Sequence, residues 1–261
     1  MDFPLAALCI VSGIVYLFAV RLAMARALSS ADRFPVFHWQ PPEAWLSIAV
    51  AGFFLLTAVM SFGREPGKID LRSLESSLAL YGGIVVFVLG FLVSRNVPLI
   101  EAFGLKPSHW SRLCGFAGLA LVLAFPAIYA AQWASYAVLG PETGPQPIVT
   151  FLLENPEWRE RLAVASIAIL AAPLTEELVF RGCLYGVVRQ RLGRAAAILG
   201  TSVVFALIHA HAATIPALFV LAVALALLYE ATGSLWAPIL AHSAFNALNV
   251  FGSLYWPGFF E

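Results

Sequence analysis

The stretch LAVASIAILAAPLTEELVFRG, from Leu162 to Gly182, decides the class of fold. At 1.5 Å per residue it is long enough to cross the roughly 30 Å of hydrocarbon in a bilayer, so it predicts a membrane-spanning helix. Its charged residues are Glu176, Glu177 and Arg181. Charges at such a depth are unfavourable unless they have a partner or a function, so they also mark a candidate site.

The whole chain has the same apolar character. Of its 261 residues, 61% are hydrophobic and 11% are charged, and the mean hydropathy is +0.87. An ordinary soluble domain has roughly 25% charged residues, so this composition excludes a soluble globular protein and predicts the lipid bilayer as a partner. The formal net charge is zero and there is no basic run, which excludes nucleic acid as a partner.

Apolar runs of spanning length recur along the chain. They predict an all-α polytopic membrane protein with about eight transmembrane helices, at Phe3–Val20, Trp45–Phe62, Ser76–Ser94, Leu113–Leu139, Leu162–Gly182, Arg194–Ala210, Ala213–Tyr229 and Ser234–Phe251. We interpret residues 1–261 as a single integral-membrane domain. Within it, residues 1–160 form N-terminal accessory spans and loops, and residues 161–251 form the spans that carry the polar residues.

The basic residues predict an orientation, because they resist translocation across the membrane. The first, third and fifth loops and their flanks hold ten of the fifteen: Arg21, Arg26, Arg33, Arg95, Lys106, Arg112, Arg181, Arg189, Arg191 and Arg194. This distribution places the odd-numbered loops inside and both termini outside. We expect a bacterial inner membrane, because the first span looks retained and no targeting signal is present.

Helical spacing assigns roles to the charged residues of the fifth span. Glu177 and Arg181 stand four residues apart with the acid on the N-terminal side, so they can form an ion pair. Glu176 points about 100° away around the helix and lacks that partner. Such a carboxylate, facing a cavity, can accept a proton from water as a general base.

Two other spans carry polar residues. The sixth closes on His209, and the eighth holds His242 and Asn246 four residues apart, where they can donate two hydrogen bonds to one developing oxyanion. If the chain reverses at Gly193, Glu176 and His209 come level to within about 2 Å along the two helices. We expect Phe205 to pack against the imidazole or the facing helix, and Glu230 to act as an interfacial anchor.

These residues form three motifs: EELVFR at Glu176–Arg181, FALIH at Phe205–His209 and HSAFN at His242–Asn246. In this order and in separate spans, they resemble the E-E-x-x-x-R, F-x-x-x-H and H-x-x-x-N motifs of the CPBP family. That family comprises the type II CAAX prenyl endopeptidases and the bacteriocin-processing, Abi-like intramembrane proteases. The resemblance covers about Leu162–Phe251 and leaves the first four spans unmatched.

The resemblance implies catalytic roles. Glu176 would be the catalytic glutamate, with His209 helping it to hold and activate the attacking water. His242 and Asn246 would stabilise the oxyanion, with Glu177, Arg181 and Phe205 in support. The implied substrate is a membrane-associated peptide or a membrane protein.

The need for a metal is a separate question. Some hydrolytic zinc sites use one glutamate and two histidines as ligands. The alternative is therefore a divalent metal such as zinc, bound by Glu176, His209 and His242. However, the H-E-x-x-H signature is absent, and a ligating Glu176 would leave the base role to Glu177, which is paired with Arg181. We therefore favour a cofactor-free mechanism with a glutamate-activated water.

The sequence thus predicts an intramembrane endopeptidase with its catalytic groups on the last four spans, around an aqueous cavity that opens toward the cytoplasm. The alternative is a non-catalytic immunity or scaffold protein that binds a peptide with the same polar cluster. A proton-coupled transporter is the third candidate. It predicts an inverted repeat with paired broken helices, and the sequence shows neither.

Overall fold

The computed structural model of the chain describes residues 16, 18, 20–22, 25, 34, 35 and 37–255, apart from the gaps 63–68, 107–108, 141–145 and 155–156. The described part is helical. Its α-helices are α1 (Pro41–Ser61), α2 (Leu71–Ser94), α3 (Leu99–Ala102), α4 (Trp110–Leu139), α5 (Pro147–Glu154), α6 (Trp158–Ser166), α7 (Ala172–Glu177), α8 (Tyr185–Leu207), α9 (Ile215–Thr232) and α10 (Trp236–Tyr255). Two π-helical segments, π1 (Ile167–Ala171) and π2 (Leu178–Leu184), join α6, α7 and α8, and a 3₁₀ turn (Ala212–Thr214) precedes α9.

The all-α prediction is confirmed, but the count of eight spans is not. Among the described residues, five helical stretches are long and apolar enough to cross a membrane: Pro41–Ser61, Leu71–Ser94, Trp110–Leu139, Trp158–Leu207 and Ala212–Thr232. The predicted fifth and sixth spans fall within the single stretch Trp158–Leu207. The predicted eighth span forms α10, whose histidine and asparagines make it less apolar than these five. The predicted first span lies largely outside the described residues.

The long stretch Trp158–Leu207 is a helical hairpin. Gly193 has φ 84° and ψ 171°, a backbone conformation open to glycine, and the chain reverses there. Beyond the turn the two arms pack together: the rings of Phe180 and Phe205 lie 5.5 Å apart in an edge-to-face contact. The reversal predicted at Gly193 therefore brings the fifth and sixth predicted spans side by side.

The end of the hairpin is clamped by a buried carboxylate. Glu230, at the end of α9, has no exposed surface and accepts hydrogen bonds from the Tyr185 hydroxyl (2.7 Å) and Arg189 Nε (2.6 Å). Arg194 lies 3.4 Å from its other oxygen, and the Arg189 guanidinium stacks on the Phe34 ring. The interpretation of Glu230 as an interfacial anchor was wrong, because its partners lie on the facing hairpin, a long-range contact that hydropathy does not report.

The remaining helices surround the hairpin. The α4 helix packs along α9 and α10 through an apolar cluster that includes Leu121, Leu221 and Leu225. On the other side, α1 lies against π2 and α8, and α2 lies against π1 and α7. The three sequence motifs are thus carried by the hairpin and α10, with α2 beside the first arm of the hairpin.

Candidate active site

The three motifs meet around the carboxylate of Glu176. Glu176 lies on α7, His209 follows the end of α8, and His242 lies in the second turn of α10. The Nε2 atoms of His209 and His242 are each 4.0 Å from Glu176 Oε2. That oxygen is buried and has no hydrogen-bond partner within the described part of the chain. The structure therefore brings together three of the four residues predicted to be catalytic, with a gap between their polar atoms.

The other nitrogen of each imidazole is held by an acceptor. His209 Nδ1 lies 2.9 Å from the Phe205 carbonyl oxygen, and His242 Nδ1 lies 2.9 Å from Glu177 Oε1. A carbonyl or carboxylate oxygen accepts a hydrogen bond, so both Nδ1 atoms carry the proton. The Nε2 atoms that face Glu176 are then acceptors in a neutral ring and donors in an imidazolium.

Glu177 and Arg181 form the ion pair that their spacing predicted. Arg181 Nη1 donates to Glu177 Oε1 at 2.8 Å, and the side chains are 1% and 0% exposed. Arg181 Nη2 also donates to the Ala222 carbonyl oxygen of α9 at 3.0 Å. Since Glu177 Oε1 accepts from His242 as well, this pair fixes the ring that faces Glu176. Glu177 and Arg181 are thus placed behind the site and not beside the gap.

Phe205 supports these groups with its ring. Its centroid lies 5.0 Å from that of His209 and 5.6 Å from that of His242. The Arg181 guanidinium carbon lies 4.4 Å from the same centroid, a cation–π contact. One fully buried ring therefore contacts both histidines and the arginine, which confirms the packing role predicted for Phe205.

Asn246 has a partner that its motif does not indicate. Its Nδ2 donates to the Ala168 carbonyl oxygen in π1 at 2.7 Å. In π1 the Ala172 N–H bonds to the Ile167 carbonyl, so the next donor in register, for Ala168, would be residue 173. That residue is proline and has no N–H. The Asn246 amide replaces the missing backbone donor and ties α10 to the first arm of the hairpin.

This replacement predicts a non-additive effect on stability. We expect Asn246→Ala to lower the free energy of unfolding by about 1–3 kcal/mol, because the Ala168 carbonyl loses its partner. In a Pro173→Ala background residue 173 regains its N–H, so the same substitution should have a smaller effect. A double-mutant cycle on the purified protein, unfolded with SDS in mixed micelles, measures the coupling. Strictly additive effects would contradict this account of Asn246.

Two partners in this network lacked any signal in the motifs. Arg181 donates to the backbone carbonyl of Ala222, which lies within the apolar helix α9. A backbone acceptor of this kind cannot be recognised from the types of residue in the sequence. Pro173 marks a missing backbone donor, but α-helical spacing points to the carbonyl four residues earlier, at Ile169, and only the π-helical register moves the loss to Ala168. Only the contact with α10 shows which side chain takes the place of that donor.

Comparison with known proteins agrees with the motifs. Residues 158–248 match the family described as Type II CAAX prenyl endopeptidase Rce1-like. A search of curated proteins and a search of solved structures gave no match. The matched region begins with α6 and ends within α10, so it contains the whole hairpin together with Glu176, His209, His242 and Asn246. Residues 158–248 of this membrane protein are therefore similar to the Rce1-like type II CAAX prenyl endopeptidase domain.

Proposed function

We propose that this protein is an intramembrane endopeptidase that hydrolyses a peptide bond with a water molecule activated by Glu176. The observation that carries this proposal is the gap of 4.0 Å between Glu176 Oε2 and each of two histidine Nε2 atoms. A water molecule about 2.8 Å from Glu176 Oε2 and about 2.8 Å from a ring nitrogen fits a separation of 4.0 Å. It would have one strong acceptor for its proton and two ring nitrogens to fix its orientation.

The reaction follows from these positions. Glu176 takes a proton from the water as its oxygen attacks the scissile carbonyl carbon, while His209 Nε2 accepts the hydrogen bond of the second O–H. The carbonyl π electrons move to oxygen and give a tetrahedral oxyanion. When the C–N bond breaks, the protonated Glu176 returns its proton to the leaving nitrogen. The products are a carboxylic acid and an amine, and Glu176 is again ionised. The new acid then gives its remaining proton to the amine or to water, which leaves a carboxylate.

Oxyanion stabilisation falls to α10 in this mechanism. His242 Nδ1 is hydrogen-bonded to Glu177, and this bond fixes the ring with its Nε2 toward Glu176. An Nε2 that carries a proton would donate it in a hydrogen bond to the oxyanion. The Asn246 amide has two N–H groups, and the Ala168 carbonyl takes one of them. In this mechanism the other would donate to the substrate oxygen. Arg181 balances the charge of Glu177 within the buried network.

The spacing favours a water over a metal ion. Glu176, His209 and His242 would be the ligands of a zinc ion, which would polarise the carbonyl or acidify the water. Tetrahedral zinc ligands at 2.0–2.1 Å from the metal lie about 3.4 Å from one another. The 4.0 Å separations in this site are wider than that, and they agree with hydrogen bonds to a shared water.

The position of the site along the hairpin bears on the side from which water reaches Glu176, which stays a prediction. From Glu176 to the Gly193 turn the helix rises by about 25 Å. The arginines near that turn, Arg189, Arg191 and Arg194, are among those that define the predicted cytoplasmic side. If that prediction holds, Glu176 is closer to the opposite face. We therefore propose that the cavity opens on the side of residues 208–211, and not toward the cytoplasm.

A peptide assay with a chelator tests the proposed reaction. We expect the purified protein in detergent micelles to cleave an internally quenched, farnesylated CAAX peptide, and to keep its rate after 1,10-phenanthroline treatment. A rate that falls with the chelator and returns with added zinc would contradict the metal-free mechanism and indicate a metal-dependent one. The same peptide without its farnesyl group shows whether the lipid contributes to recognition.

A further inference from the structure

Tyr81 is an unusual residue for its position in the membrane. It is the single tyrosine of α2 and lies near the middle of that apolar helix, about 15 Å from Leu71 along the axis. Tyrosines of membrane proteins are enriched at the ends of spans, where the hydroxyl reaches water or headgroups. A tyrosine hydroxyl at mid-helix needs a polar partner inside the protein.

The spacing of α2 places Tyr81 on its buried face. Leu74, Tyr81 and Val88 are separated by seven residues each, so they lie along one stripe of the helix. Leu74 and Val88 are both buried, and Tyr81 between them is half-buried. Tyr81 therefore points toward the protein side of α2 and not toward the lipid.

The neighbours of this stripe give the level of Tyr81 along the hairpin. Leu74 belongs to the apolar cluster that contains Val164 and Ala168. Val88 belongs to another apolar cluster, which contains Leu178 and Cys183. Tyr81 lies midway between Leu74 and Val88 on α2. The facing part of the hairpin runs from the neighbours of Leu74 to those of Val88, and its midpoint falls within α7, the helix that carries Glu176.

The packing of α2 against the hairpin places the two groups near each other. The Tyr81 hydroxyl interacts with the Glu176 carboxylate through space, and α2 packs directly against α7 and π1. No hydrogen bond joins the two residues, so their polar atoms do not touch.

We propose that Tyr81 is a further catalytic residue, whose hydroxyl donates a hydrogen bond to the oxyanion formed from the scissile carbonyl. This inference rests on the proposed function. The oxyanion needs donors, and the Asn246 amide is partly engaged by the Ala168 carbonyl. Tyr81 lies outside residues 158–248, so it gives the accessory N-terminal spans a part in the reaction.

Tyr81→Phe tests this role, because it removes only the hydroxyl. We expect kcat for the farnesylated CAAX peptide to fall by about 10²-fold while KM changes by less than about twofold. A peptide aldehyde, whose hydrate resembles the tetrahedral intermediate, should lose a similar factor in affinity, whereas the carboxylate product should bind as before. Tyr129→Phe is the matched control, since Tyr129 is 47% exposed on α4 and should keep full activity.

Glu176→Gln, measured in the same assay, separates the two proposals. If Glu176→Gln is inactive and Tyr81→Phe is as active as Tyr129→Phe, the Tyr81 role is wrong and the protease stands. If Tyr81→Phe loses equal affinity for the aldehyde and for the product, the proposed role of Tyr81 is also wrong, because such losses indicate a structural effect. If Glu176→Gln retains the full rate, the proposed function fails and the role of Tyr81 fails with it.

Discussion

Glu176→Gln is expected to reduce peptide cleavage by at least about 10³-fold while the protein stays folded. The amide has nearly the shape of the carboxylate but cannot accept a proton, so the variant loses the general base and the anchor of the attacking water together. General-base catalysis alone contributes roughly 10²–10⁴-fold. Because Glu176 Oε2 has no hydrogen-bond partner in the described structure, the substitution breaks no contact that holds the fold.

The measurement is the initial rate of cleavage of the quenched peptide, at equal amounts of folded protein. Glu101→Gln is the matched control: Glu101 is exposed on α3 and pairs with Lys106 at 3.3 Å, away from the site. It should keep the wild-type rate. A Glu176→Gln variant that cleaves within a factor of about ten of the wild type would contradict the assignment of Glu176 as the base.

Arg181→Leu is expected to have the largest effect on stability, a loss of about 3–5 kcal/mol in the free energy of unfolding. It leaves the Glu177 carboxylate buried without its counter-charge. Removing one partner of a buried ion pair is far more destabilising than removing both partners. It also removes the donor to the Ala222 carbonyl and the cation over Phe205. SDS unfolding of the purified protein in mixed micelles measures the loss.

Two further variants show whether the charge is the cause. Glu177→Gln with Arg181→Met removes both charges at once and should recover a large part of the stability lost in Arg181→Leu. Lys106→Ala removes one partner of an exposed pair and should leave the free energy of unfolding essentially unchanged, because water screens that pair. A double variant as unstable as Arg181→Leu would show that packing of the guanidinium, and not charge balance, dominates.

The central contacts of the site could be predicted because they follow from spacing along one hairpin. Glu177 and Arg181 are one helical turn apart, and Glu176 and His209 are nearly equally far from Gly193. These local rules do not depend on how other helices pack. The structure places both pairs side by side, at 2.8 Å and 4.0 Å between their polar atoms.

Contacts between distant elements could not be predicted in this way. Asn246 donates to Ala168, and Glu230 pairs with Arg189 and Arg194, because α10 and α9 pack against the hairpin at particular levels. A hydropathy pattern predicts that a helix crosses the membrane but not which face meets which neighbour. The predicted number of spans differs from the five apolar stretches for a similar reason. The hairpin joins two predicted spans into one stretch, and α10 is too polar to be counted among the described stretches.

The most direct test of the account is comparative proteomics of peptide termini in membranes from cells that express the native protein, Glu176→Gln, or neither. We expect new termini in membrane proteins or membrane-bound peptides with the native chain alone, which would establish proteolysis and identify a substrate. The opposite result is a set of termini identical in all three, with Glu176→Gln restoring whatever the deletion loses. It would contradict the protease and favour a scaffold or immunity protein that binds a peptide at the same polar cluster.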